Sequence, residues 1–366
     1  MFRSLHVGLP PMVEAAKNDD LALAILMIRQ GANVEAMDDM GWTPLCYATD
    51  NGSRKMVELL LESGANKEDE DIVGMTPLLI ASSKGQQGIV RLLLENGANK
   101  EHQDNQGRTP LILASSKGHV ETVRLLLDNG ANIEHQDEEG RTSLIIASSK
   151  GQWEIVQLLL QYGANVDHED EEGNTPLIVA SCNGHLVILR LLLDNGANIE
   201  HQDEEGRTSL IIASSEGRWE TVLLLLECGA EKEHQDNEGR TPLVVASSNG
   251  HFAIVQLLLE NGANIQHEDE EGNTPLTVAS CNGHLEIVRL LLDHSANNEH
   301  RNTERDTALA LARQRNYLEV FDCLKTCGYK KKLPIQLLVH SVSVTSIMLI
   351  ALSFGIDAKL WRQSTA

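Results

Sequence analysis

The chain has 366 residues, of which 42% are hydrophobic and only 3% aromatic, and its 30 Lys plus Arg against 53 Asp plus Glu give a formal net charge of −23. Such a balance repels phosphate backbones and argues against nucleic acid as a partner, while the apolar content excludes wholesale disorder. With so few large rings, any core is built from aliphatic packing, which suits thin layers better than one deep interior.

At about 150 residues per domain the length alone suggests two compact domains, but the chain order does not. Residues 1–11 form a lead in which Pro10 and Pro11 break a very short apolar run, too short for a secretory segment. Six cysteines without a CxxC pair fit neither a disulfide framework nor a zinc site, and point to a reducing compartment. Residues 12–40 carry a two-helix pattern without a threonine-proline start and read as an N-terminal cap unit.

From residue 41 the sequence is periodic. Thr43, Thr76, Thr109, Thr142, Thr175, Thr208, Thr241, Thr274 and Thr307 recur at intervals of 33 residues without insertion or deletion. In the unit from Asp104 to Gln136, Thr109 stands where an N-cap oxygen accepts a backbone N–H, and Pro110 follows at the first helical position. Gly118 ends that short helix. Val120, Val123, Leu126 and Leu127 then give an apolar stripe on a second helix, closed by Gly130. The remainder, ANIEHQDEEG, predicts a projecting, hairpin-like finger. Neither helix reaches the roughly 12–15 residues at which an isolated helix is even marginal in water, so stability is expected from stacking one unit on the next.

The period, the Thr-Pro-Leu start, the Gly-His turn and the Leu-Leu-Leu…Gly-Ala run resemble the ankyrin repeat family over roughly residues 8–329. The resemblance implies an all-α solenoid of about ten helix-turn-helix units with β-hairpin-like fingers: the cap unit 12–40, regular units 41–304, and a polar C-terminal cap unit 305–329. It departs from the family at one slot. The usual histidine of Thr-Pro-Leu-His is replaced by Cys46, Leu79, Ile112, Ile145, Ile178, Ile211, Val244, Thr277 and Ala310, which implies apolar packing in place of a hydrogen bond.

Seven finger histidines, His102, His135, His168, His201, His234, His267 and His300, form a ladder. At about 8–10 Å between units two imidazoles cannot share one zinc, so they read as solvated finger residues, with a pH-sensitive acidic edge as the alternative and no metal expected. His119, His185, His251 and His284, at the Gly-His turn, read as packing and capping groups. The acidic runs starting at Asp137, Asp170, Asp203 and Asp269 lack calcium-loop spacing and read as a solvated edge. No HExxH, GxSxG, GxGxxG or GxxxxGK motif is present, and Cys182 and Cys281 have no unique histidine partner. No catalytic residue, cofactor or metal is expected, and the chain reads as a non-enzyme.

The resemblance also implies a contact surface made of finger tips and first helices. Its slots hold Trp42, Met75, Arg108, Arg141, Asn174, Arg207, Arg240 and Asn273 before each anchor, and Lys84, Lys117, Lys150 and Asn183 eight residues after it. Such a basic and amide-rich strip predicts an extended or acidic peptide held on the concave face of a monomeric array. Trp42, Trp153 and Trp219 stand either as aromatic anchors or as rings buried between units.

Residues 330–366 leave the period. Lys330-Lys331-Lys332 precede Leu333 to Ile356, of which Leu337 to Ile356 carries no acid, Lys or Arg. Its mean hydropathy is about +2 and a helix of that length spans about 30 Å, long enough for a membrane. Two readings stand: a C-terminal anchor holding a cytoplasmic array on an intracellular membrane, or an apolar helix docked on protein. The functional expectation is a protein-interaction scaffold, tail-anchored, with a soluble adaptor that hands clients to another complex through its tail as the alternative.

Overall fold

A computed structural model of the chain describes residues 9–326. The hydrophobic segment 333–356 lies outside them. Among the described residues there are twenty helices and no strand, and no helix is long and apolar enough to cross a membrane. The helices alternate in two rows, short inner helices such as Pro110–Lys117 and nine-residue outer helices such as Val120–Asp128. The cap unit supplies the first pair, Pro11–Lys17 and Leu21–Arg29, so ten pairs stack in chain order.

Each inner helix after that of the cap unit starts where the threonine predicts. The threonine hydroxyl accepts the N–H of the residue three positions on, as Thr109 does from Ile112 at 3.4 Å, in every unit but that of Thr208. Inner helices pack against the inner helices before and after them and against their own outer helix, while neighbouring outer helices meet as a second row. The core is one aliphatic seam: Leu111, Ala114, Val123 and Leu126 of one unit lie against their equivalents Leu144, Ala147, Val156 and Leu159 in the next. The slot that loses the family's histidine lies inside this stack from Cys46 to Thr277, each at most 1% exposed, which accounts for its apolar character. Ala310, in the last unit, is exposed.

The fingers are tight turns, a correction to the hairpin-like form expected from the sequence. Too few residues run side by side to make strands, and each finger instead bonds to its neighbours. The Glu138 N–H donates to the Gln106 carbonyl at 3.1 Å, Glu171 to Glu139 at 3.1 Å and Glu204 to Glu172 at 3.2 Å, so a ladder of single bonds runs from finger to finger. Gly140 shows why the turn needs glycine. Its φ is +74°, and a Cβ there would sit 3.0 Å from the Glu171 nitrogen that makes the ladder bond.

Because the seam holds the units together, truncation within it should cost far more than truncation outside it. Leu126→Ala, at a fully buried position, is expected to destabilise by about 2–5 kcal/mol, and Val187→Ala, on an exposed part of an outer helix, by under about 1 kcal/mol. Urea unfolding midpoints of the two variants provide the comparison.

Candidate interaction face

Each regular finger is organised by one aspartate. Asp137 Oδ1 accepts the N–H groups of Glu139 at 3.2 Å and Arg141 at 2.9 Å, and its Oδ2 accepts from Arg141 Nε at 3.0 Å and Nη2 at 2.8 Å. Asp104, Asp203 and Asp236 hold Arg108, Arg207 and Arg240 in the same way. These four aspartates are only 5–6% exposed. Where asparagine replaces arginine, Asp170 and Asp269 bind Asn174 and Asn273 and are half-buried. The expectation of a solvated acidic edge is therefore corrected for the first acid of each run, whereas the glutamates that follow it, such as Glu138 and Glu139, are exposed.

Polar side chains also tie each unit to the one before. Nε2 of His135, His168, His201, His234, His267 and His300 donates to the carbonyl of the preceding finger's glycine, at 2.8 to 3.3 Å. These histidines are half-buried connectors, a correction to the solvated reading, and the reason is this backward reach. His102 lacks the bond; its Nε2 faces Glu70 at 3.5 Å. Beside this row, Glu101, Glu134 and Glu200 accept the N–H groups of Asn132, Asn165 and Glu231 in the following units. At the other edge His119, His185, His251 and His284 donate to the carbonyls of Ser83, Ser149, Ser215 and Ser248, the capping role expected of them. One histidine-carboxylate group, Glu200, Glu231 and His234, brings its ligand atoms within 4.8 Å, but Glu200 and His234 are both engaged in these two rows.

The contact slots fall on fingers and inner helices, but the charge of the arginines and of Lys84 is not free. Arg108, Arg141, Arg207 and Arg240 are paired with buried carboxylates, and the last three also reach an exposed glutamate of the same finger. Lys84 is bridged to Asp50, and the Asn183 amide donates to the Val179 carbonyl of its own helix at 2.8 Å. The finger part of the strip is therefore acidic at its tips, because each arginine is matched within its own finger, while Lys117 and Lys150 stay exposed at the ends of their inner helices. Near the C-terminal end an open hollow of about 430 Å³ includes Asn273, Asn282, Cys281 and Arg315 in its lining. Burial pushes the Cys46 and Cys182 thiols up, the reverse of what a nucleophile needs.

The first two fingers differ. Here Trp42 and Met75 stand where later units carry Arg or Asn, and Asp38 accepts the Tyr47 hydroxyl at 2.7 Å while Asp71 accepts Trp42 Nε1 at 3.0 Å. Trp42 and Tyr47 pack with ring centroids 4.9 Å apart. Trp153 and Trp219, by contrast, begin outer helices and are half-buried against the seam, so of the three tryptophans only Trp42 lies on this face. Burial pushes Tyr47 up, and its bond to Asp38 adds to that, to about 12. Burial also acts to raise Asp38, but the bonds from Tyr47, Trp42 and Met40 outweigh it and hold the carboxyl below its usual range.

An array of stacked helix pairs with projecting turns, every unit bonded to the last at fixed offsets, defines a helical repeat protein. The model of the ankyrin repeats family matches at residues 4–71, 64–137, 130–203, 147–236, 198–269 and 261–334, and the chain belongs to the ankyrin repeat family. No curated protein matches it at a significant level. Repeats of this family point to a protein-interaction scaffold.

Two measurements probe these fingers. Asp137→Ala removes a buried acceptor of two backbone N–H groups and should destabilise by about 1.5–3 kcal/mol, with the half-exposed Arg141 pair discounted for solvent screening, whereas Glu138→Ala should change unfolding by less than about 0.5 kcal/mol. Absorbance titration should show a tyrosine ionising near pH 12 that disappears in Tyr47→Phe and moves down in Asp38→Asn. Since the folded value is raised, the stability Tyr47 adds is complete below its ordinary value of about 10 and is lost as pH rises toward 12. Since Asp38 is lowered, its contribution is present above about pH 4 and is lost on acidification below that.

Proposed function

We propose that the chain is a non-enzymatic scaffold that binds a protein partner along its fingers and inner helices, with residues 333–356 attaching it to an intracellular membrane. The observation that carries the reading is the row of finger tips. The fold buries or half-buries the finger aspartates, arginines and histidines, and in four units keeps two carboxylates exposed, at Glu138 and Glu139, Glu171 and Glu172, Glu204 and Glu205, and Glu270 and Glu271, the second of each pair also meeting the Arg or Asn of its finger. A repeated, exposed, single-sign row on a rigid array favours a long partner surface carrying basic side chains, and not the acidic ligand that the unpaired arginines suggested. The charge-free segment after Lys330-Lys331-Lys332 supports the attachment.

Affinity capture tests both halves. Charge reversal of Glu138, Glu139, Glu171 and Glu172 to lysine should abolish recovery of a specific partner and leave helical content unchanged, and raising salt should weaken recovery of that partner by the unaltered chain. Full-length chain should pellet in a carbonate-resistant, detergent-sensitive form that truncation after Tyr329 abolishes. A soluble full-length chain that loses a defined complex on this truncation would replace the anchor with the adaptor reading.

A further inference from the structure

The one break in the acidic row lies at its N-terminal end. In every later finger the two tip residues are acids, amides or threonine, but the first finger has Asp39-Met40 and the second Ile72-Val73. Met40 is 51% exposed, Ile72 58% and Val73 51%. They are adjacent. The Ile72 N–H donates to the Met40 carbonyl at 3.1 Å, and the Val73 carbonyl accepts from Asn105 at 3.1 Å, so the three apolar groups fill one continuous stretch of the finger ladder. Met37, 45% exposed, belongs to the same first finger.

The surroundings say what fits there. The hydrogen-bond donors to Asp38 and Asp71 are neutral, the Tyr47 hydroxyl, the Trp42 ring N–H and backbone N–H groups, in place of the arginines that pair with the later aspartates, and Lys17 is the cation that acts on Asp38. With Asp39, Asp69 and Glu70 these two aspartates flank the apolar residues in sequence, five carboxylates and no Lys or Arg within residues 38–42 and 69–75, which makes the edge of the stretch acidic. Oδ2 of Asp69 is shielded and has no hydrogen-bond partner. An acid rim of this kind repels anionic lipid headgroups, so an apolar surface inside it is not suited to a membrane.

We infer that the first two fingers form an apolar, acid-rimmed seat for an extended polypeptide segment whose apolar side chains are flanked by lysine or arginine. The seat spans one finger interval, about 8–10 Å, which at about 3.3 Å per residue corresponds to two apolar anchors roughly three residues apart. The inference rests on the scaffold reading above and narrows it, by placing the sequence-selective part of the contact at one end and the general electrostatic part along the remaining fingers.

The full chain, a labelled peptide of leucines flanked by lysines, and two matched peptides, lysine with serine and glutamate with leucine, make the test. The lysine-leucine peptide should bind the tightest. Ile72→Asn with Val73→Gln gives the second finger the uncharged tip that Asn105 and Gln106 already form in the third, so the fold tolerates it and the charge of the seat is kept, and it should weaken that peptide about tenfold or more while leaving the lysine-serine peptide unchanged. Equal binding of the lysine-leucine and lysine-serine peptides, or a double variant without effect, would overturn the inference, as would stronger partition of the chain onto phosphatidylserine vesicles than onto phosphatidylcholine vesicles that the variant abolishes. Capture with the charge-reversed fingers separates the two proposals. Loss of capture there with peptide binding unaffected by the Ile72 and Val73 changes sinks only the seat, whereas peptide binding to the seat with no protein ever recovered by the unaltered chain sinks the scaffold.

Discussion

The contact between one unit and the next is the interaction on which this molecule depends, because helices of seven to nine residues have no stability of their own in water. Two kinds of force make that contact. Aliphatic burial along the seam supplies the bulk of the free energy, and it is non-directional. Direction comes from the polar rows at either edge, in which histidine, glutamate and backbone N–H groups each reach a defined atom of a neighbouring unit. The seam alone would tolerate units that slide or rotate slightly, whereas rows of hydrogen bonds on both flanks allow one arrangement.

Much of this was legible in the sequence, because the signals are local and repeated ten times. Threonine, in six units followed by proline, announced the start of each inner helix after the cap unit, the leucine stripe announced the outer one, and the apolar replacement at the family's histidine slot implied a buried position, as it is from Cys46 to Thr277. What the sequence hid was pairing. An aspartate followed by two glutamates looks like solvated charge, and nothing in composition tells that the first acid folds inward while the next two point out. The spacing Asp-x-x-Gly-Arg held the signal, since an aspartate two and four residues ahead of backbone donors is placed to accept both. The finger histidines were misread for the same reason: their acceptor lies 28 residues back, a distance that becomes short only when units stack.

That pairing also changes what the charge means. A net charge of −23 looks uniform in a composition, and a column of arginines inside it looks like a binding strip. Once the arginines are matched to buried aspartates, the outward charge belongs to the tip glutamates, and the first two fingers, with tryptophan and methionine in the arginine slot, become the place where the surface changes character. Trp42 links the two roles, because its ring lies on the face while its nitrogen satisfies the aspartate that no arginine reaches.

The rows of inter-unit bonds span 28, 31 and 36 residues in chain number, and all of them must be met at once. A single inserted or deleted residue anywhere in a regular unit breaks one row while leaving another in register, so it is penalised even on the surface, where loops of ordinary proteins absorb such changes. Insertion or removal of one whole period leaves every offset intact. The bonding pattern thus works as a ruler, and a gene for such a chain can grow or shrink by complete units while its length within each unit stays fixed.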